Sequence, residues 1–192
     1  MSPRTQAQNE VIREHSRQKI LDAALRLFAV KGFDGTSVSG IAREAGVAKG
    51  LIYNYFKSKE DIVHQIVMSG ISESDHVFAE LMAQETAQDK MRFLFEFVRT
   101  YLKERYEYNK LLHMLAFRLE EFPGLIDIVV AKQTSMMPLF VGILADTGVE
   151  NAEREAKLLS ATMDGIGNQY MSLKEKFPLD EMIDLLIEKY CH

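Results

Sequence analysis

The sequence has very little cysteine: Cys191 alone, next to the last residue printed, so no disulfide can form within the chain. That thiol is expected to sit on an exposed tail. Long apolar runs are missing as well, and the first stretch, MSPRTQAQNEVIREH, has charged and amide side chains where a secretion signal needs an apolar segment. The expectation is a cytoplasmic protein with no membrane partner. Period-two alternation is absent over any useful length, and no Asn-Gly or Asp-Gly pair stands between strand-like runs, which argues against a β architecture. Catalytic signatures are equally scarce. No Gly-x-Ser-x-Gly elbow occurs. Glu73 and His76 have the spacing used by di-metal carboxylate bundles, but that class needs the motif twice, with further glutamates facing it. His64 has only Glu60 near it in sequence and His113 has no nearby carboxylate, so neither forms a recognisable zinc set. No catalytic residue, metal or cofactor is expected.

What the sequence does have is helix. Of 192 residues, 47% are hydrophobic, ample for a buried core in one or two domains. Glycine and proline fall mostly at the ends of helical stretches. The net charge of −5 is unevenly spread. Residues 1–60 hold ten Lys/Arg against six Asp/Glu, net +4, and the remainder holds thirteen against twenty-two, net −9. A basic first third on an acidic remainder suits a protein that attracts phosphates with one part only.

The most informative stretch is TSVSGIAREAGVAKGLIYNYFKSKE, from Thr36 to Glu60. Thr36 and Ser37 offer side-chain oxygens to cap a helix beginning near Val38. Ile41, Ala42 and Ala45 give that helix a face of one large and two small residues, against which another helix can lie closely. Gly46 can take the left-handed conformation that ends a helix, and Val47 plugs the angle that follows. A second helix is expected from Lys49 to Tyr55, with Ile52 and Phe56 inward and Leu51, Tyr53, Asn54 and Tyr55 more outward. Aromatic residues between lysines on an outward face suit phosphates and base edges.

These residues resemble the DNA-binding signature of the tetracycline-repressor (TetR) family. The resemblance rests on IAREAGVAKGLIYNYFKSKEDI and extends upstream through RQKILDAALRLFAVKGFDGTSV, covering residues 16–63. It implies an all-α fold of about nine helices, with an N-terminal three-helix helix-turn-helix head on a larger helical bundle for effector binding and dimerisation. The domains implied are 1–60 and 61–192. It also implies roles. Thr36, Ser37, Tyr55 and Lys59 would hold phosphates of double-stranded operator DNA. Arg43, Lys49, Leu51, Tyr53 and Asn54 would face the major groove, with Gly50 allowing close approach; Arg4, Arg13 and Arg17 are candidates for a minor-groove arm or a flexible polar tail. At Ala48 the family more often has a capping residue, and its loss costs about 0.5–2 kcal/mol. Gly40 inside the first motif helix costs about 1 kcal/mol relative to alanine.

Beyond the motif, further helices are expected over 58–84, 89–108, 109–122, 125–146, 151–176 and 178–190. The second of these should be central, and Pro138 should kink or break the fourth near Thr134 to Met137. The family resemblance implies a small-molecule effector in this bundle. Phe93, Phe97, Tyr101, Met114, Phe117, Met136, Phe140, Met163 and Tyr170 are consistent with an adaptable apolar pocket and equally with a filled core. His113, Arg118, Asn168 and Gln169 are the polar candidates beside them. The stretch ATMDGIGNQYM weakly resembles the family's second-last helix, and Gly165 and Gly167 weaken a helix interior unless another helix packs closely. A homodimer through residues 150–190 is therefore expected. The functional expectation is a repressor released from a palindromic operator by a small, largely apolar effector. A ligand-independent DNA-organising or partner-binding protein would use the same head.

Overall fold

A computed structural model describes residues 6–191, excepting the side chains of residues 7, 9 and 73–75; Arg4 and Glu73 lie outside that set. Among the described residues all regular structure is helical: α1 (Gln6–Lys31), α2 (Val38–Ala45), α3 (Lys49–Tyr55), α4 (Lys59–Met82), α5 (Ala87–Glu104), α6 (Tyr106–Ala116), α7 (Leu125–Asp146), α8 (Ala152–Leu173) and α9 (Leu179–Tyr190), with two short 3-10 turns. The chain divides into two compact units, Met1–Ile71 and Ser72–His192. The division falls inside α4.

In the first unit α1 packs against α2 and α3, and α2 against α3. Its core is built from Ile20, Ala24 and Phe28 of α1, Ile41 of α2, Ile52 and Phe56 of the α3 region, and Ile62, Val63 and Ile66 of α4. Ala42 is 4% exposed, and its short side chain lets α2 lie close to its neighbours, as the large-small-small face predicted. The first turns of α4 belong to this core, which is why the boundary falls after Ile71.

Two corrections concern α1 and α4. Arg13 and Arg17 are part of α1, which begins at Gln6, whereas the sequence pattern starts the first helix at Ser16 or as early as Glu10. Arg17 is tied down: its guanidinium donates to Gln65 Oε1 at 2.6 Å and to Glu14 Oε1 at 3.3 Å, and lies 5.8 Å from the Phe56 ring centre. The second concerns Ser69 and Gly70, a pair of residues at which the sequence suggests a weakened helix: α4 runs through it without interruption.

The second unit is organised around α5, which packs against α9, α7 and α6, while α8 packs against α6, α7 and α9. Met91, Phe95 and Leu102 of α5, Leu144 of α7, Leu159 and Ile166 of α8, and Ile183 of α9 form its core. Thr86 caps α5 by accepting the Asp89 amide at 3.0 Å, and Asn151 caps α8 by accepting that of Arg154 at 3.1 Å. Where one helix was expected to run on to Tyr108, α5 stops at Glu104 and α6 restarts at Tyr106. By contrast α7 passes through Pro138 unbroken. Cys191 is a free thiol but only 7% exposed, not the exposed tail expected, and burial pushes its pKa up, away from the reactive thiolate.

By length and composition α7 is apolar enough to cross a membrane, with a mean hydropathy of 1.6 over its best window and 11% of that window buried. Asp127 and Lys132 interrupt its apolar residues, so no continuous run showed it in the sequence.

Candidate nucleic-acid interface

The α2–turn–α3 segment of the first unit is set by local bonds. Ser37, in extended backbone, caps α2 by accepting the Gly40 amide at 3.0 Å. A Cβ on Gly40 would stand 3.3 Å from that same Ser37 oxygen, so the glycine makes room for the cap. Gly46 ends α2 at φ 67°, ψ 33°; its amide reaches the Arg43 carbonyl at 3.3 Å, and the Val47 amide reaches Ala42 at 3.0 Å. These bonds occupy carbonyls that the helix end would otherwise leave unpaired. Ala48 then starts α3 in extended backbone with no side-chain cap, while the Leu51 amide bonds the Ala48 carbonyl at 2.9 Å.

On α3, Ile52 is 1% exposed and holds the helix to the core. Lys49, Gly50, Tyr53 and Asn54 are exposed, with Tyr53 at 53%, and Arg43 of α2 is exposed too. No atom stands within 4 Å of a Cβ built on Gly50, so the surface there is open to close approach. Leu51 and Tyr55 are half-buried, and the Tyr55 ring packs tilted on Phe56 with centroids 6.2 Å apart. Tyr55 also lines an open cleft of about 360 Å³ with Arg13, Arg17, Glu10, Glu14 and Gln6 of α1.

Two residues expected at phosphates make bonds inside the head. Thr36 is 3% exposed, and its hydroxyl lies 2.8 Å from the Gly32 carbonyl and 3.2 Å from that of Leu27. It closes the end of α1. Lys59 Nζ donates to the Phe33 carbonyl at 2.7 Å and the Thr36 carbonyl at 3.0 Å, and lies 4.0 Å from the Phe33 ring centre. Next to it, hydrogen bonds from the Ser58 hydroxyl and the backbone hold the Glu60 carboxyl below its ordinary pKa, as expected for an anion at a helix start. A cation in the first turn opposes the helix dipole, and the two carbonyl bonds offset that cost for Lys59.

The effector candidates of the second unit differ in burial and in what they touch. Phe93, Phe140, Met163 and Tyr170 are half-buried against the core. Phe97 stacks tilted on Tyr101 at 5.2 Å, and Tyr101 meets Tyr108 edge-on at 6.4 Å. Met114 and Met136 are half-buried. Phe117 is 80% exposed, because α6 ends at Ala116 and turns it outward. It touches His113 edge-on at 5.6 Å, and His113 Nδ1 lies 2.7 Å from Asn168 Oδ1, which joins α6 to α8. Arg118 pairs with Glu121 at 2.7 Å, and Gln169 is exposed. Among the described residues no three His, Cys, Asp or Glu side chains stand close enough to hold a metal ion.

A capped helix, a left-handed glycine turn and a short helix with an exposed polar face define a helix-turn-helix protein. The family model for bacterial regulatory proteins of the tetR family matches residues 20–66. The chain is 30% identical over 156 residues to the HTH-type transcriptional regulator BetI of Rhizobium meliloti, covering 78% of this chain and 75% of that one. It is 36% identical over 126 residues to the HTH-type transcriptional regulator AcrR of Shigella flexneri, covering 64% of this chain. That match spans only 58% of the AcrR length. In fold it is similar to a putative transcriptional regulator from Saccharomonospora viridis solved with choline, with a TM-score of 0.80 at 23% identity, covering 91% of this chain and 95% of that one. The chain belongs to the TetR family of bacterial transcriptional regulators.

Proposed function

We propose that this protein is a DNA-binding repressor that grips a palindromic operator as a homodimer and releases it when a small, largely apolar effector binds its second unit. The observation that carries this reading is the exposed face of α3, where Lys49, Gly50, Tyr53 and Asn54 stand together on a helix anchored by Ile52. Lys49 suits a guanine edge, Leu51 a thymine methyl, and Arg43 and Ser37 the flanking major groove and phosphate. The first unit is the DNA-binding part and the second the effector and dimer part. Such a regulator performs no catalytic step and works in the cytoplasm, where bacterial DNA lies.

Pairing is supported by Leu158 of α8 and Leu185 of α9, 55% and 50% exposed, and by Gly165, whose Cβ position has no atom within 4 Å. A second copy packed on α8 and α9 would cover them. For the effector, the half-buried aromatic groups around Phe97, Tyr101 and Tyr170 supply adaptable apolar walls. The choline held by the Saccharomonospora viridis regulator makes aromatic recognition of a small cation a case to include in any screen.

The test is to select duplexes from a random pool with the purified protein and then screen compounds for release of the selected duplex. Enrichment of a two-fold symmetric site and release by a compound that binds the free protein support the reading. No enrichment removes the operator, and enrichment without any releasing compound favours a DNA-organising role. Hundredfold release requires about 2.7 kcal/mol of coupling between the two sites.

A further inference from the structure

We infer that the corner made by the rings of Tyr106 and Tyr170 binds a small organic cation, a quaternary or tertiary ammonium, and that Lys174 fills this site in the free protein; the inference names the chemical class of the effector and rests on the effector reading above. The two rings stand edge to face, with centroids 6.2 Å apart and planes at 89°. Tyr106 opens α6 and Tyr170 lies in the last turn of α8, both half-buried. The Tyr106 hydroxyl donates to the Met171 carbonyl at 3.4 Å, which fixes the ring against α8. Nζ of Lys174 lies 5.0 Å from the Tyr106 ring centre. Among the described residues that ammonium has no carboxylate partner.

Three features suit a cation here. Aromatic faces attract positive charge through their quadrupole, and two rings at a right angle offer apolar walls to the methyl groups of an ammonium ion. The corner also lies at the C-terminal end of α8, the negative end of its dipole. The third feature is the conformation of Lys174 itself. Its backbone has φ 51° and ψ −120°, and it is the one non-glycine residue at positive φ among the described residues. Such a backbone costs free energy and persists where its surroundings hold it. Lys174 is held at two points, by its amide on the Tyr170 carbonyl and by its ammonium on the Tyr106 ring. A lysine that only faced water would need neither. It acts as a tethered copy of the ligand, and a free ammonium ion competes with it for the ring. Displacement releases the first residue of the 3-10 turn Lys174–Lys176, which leads from α8 into α9. The site thereby joins ligand binding to the two helices proposed to meet a second copy.

The test titrates the full chain with choline, and with its neutral analogue 3,3-dimethylbutan-1-ol, by calorimetry. Choline should bind the wild type, and the neutral analogue about tenfold more weakly or less, since the two differ in charge and not in shape. Lys174→Met should bind choline about tenfold more tightly, because the tethered competitor is gone. Tyr106→Leu should bind it about tenfold more weakly, whereas Tyr106→Phe, which keeps the ring, should match the wild type. A second arm follows the side-chain protons of Lys174 by NMR in the wild type. Ring current should shift them upfield of those of Lys176, and choline should remove that shift. Choline affinity that ignores either Lys174→Met or Tyr106→Leu, absence of choline binding to both wild type and Lys174→Met, or a Lys174 shift that saturating choline leaves in place overturns the inference. If Tyr106→Leu does not fold, the Lys174 shift decides. Release of a selected duplex is read separately. Choline that displaces Lys174 without releasing the duplex removes the effector reading and leaves the site, whereas release by other compounds, with no choline bound, keeps the effector reading and removes the site.

Discussion

The two units of the chain solve opposite problems. The first fixes backbone at a few points, Ser37, Gly46 and Lys59, and sends polar side chains outward from very short helices. The second uses long helices joined by broad apolar packing and leaves apolar residues outside, among them Leu158, Leu185 and Val130. Position therefore decides function in the first unit, and surface complementarity in the second. In the proposed function, the exposed Tyr53 on a pinned helix reads a fixed lattice of groups, whereas the exposed leucines of α8 and α9 meet a second copy.

Substitutions sharpen that contrast. The largest effect is expected for Phe95→Ala, which empties a fully buried site among α5, α9 and the Tyr190 ring and should cost about 3–5 kcal/mol in denaturant unfolding. Next comes a pair of identical changes with opposite outcomes. Gly46→Ala should cost about 1–2 kcal/mol because the turn needs a left-handed backbone. Gly165→Ala, in a helix interior with open space around it, should add about 1 kcal/mol to a monomer, and should weaken association if a second copy packs there. Equal signs by thermal melting would break the comparison. Ala48→Ser should stabilise α3 by about 0.5–2 kcal/mol, read as slower amide exchange in the motif.

The smallest effect is acid dependence. Hydrogen bonds from Lys189 and Tyr190 hold the Glu155 carboxyl below its ordinary pKa, tying α8 to α9. A depressed carboxylate stabilises the fold above its unfolded pKa, and that contribution is lost as pH falls through the lower folded value. Asp164 has the opposite sign: its residue is exposed, but neighbouring groups displace part of the water around its carboxyl and raise its pKa, so acid relieves the cost of its charge. Glu155→Gln should therefore lower the melting temperature at pH 7 by the equivalent of about 0.2–1 kcal/mol, with the difference from wild type shrinking as pH falls below the ordinary carboxylate range. A difference independent of pH would contradict this assignment.

Much of this was legible before any coordinates. Val38, Gly46, Lys49 and Tyr55 mark helix limits because capping and left-handed glycine are local chemistry, readable within a few residues. The start of α1 was not legible, since residues 6–15 are polar and carry no hydrophobic period. Nor was the division at residue 105, which depends on how α5 and α6 pack. Of the kink or break forecast at Pro138, the break does not occur, because α7 continues through it. Within the site, exposure of Lys49, Tyr53 and Asn54 followed from the helical period, but the inward hydroxyl of Thr36 and the reach of Lys59 to Phe33 are contacts between distant residues. For the effector region, helical spacing brought many aromatic residues to one list without placing them in one cavity, and Phe117 faces outward.

The central claim is that the exposed face of α3 reads base sequence. Its most direct test is the affinity of wild type, Lys49→Ala and Tyr53→Ala for a selected duplex and for a scrambled one of equal length, at one salt concentration. Each variant should lose about 1–3 kcal/mol on the selected duplex, roughly 5- to 150-fold, with an unchanged melting temperature and little change on the scrambled duplex. Undiminished affinity of both variants for the selected duplex would contradict the account.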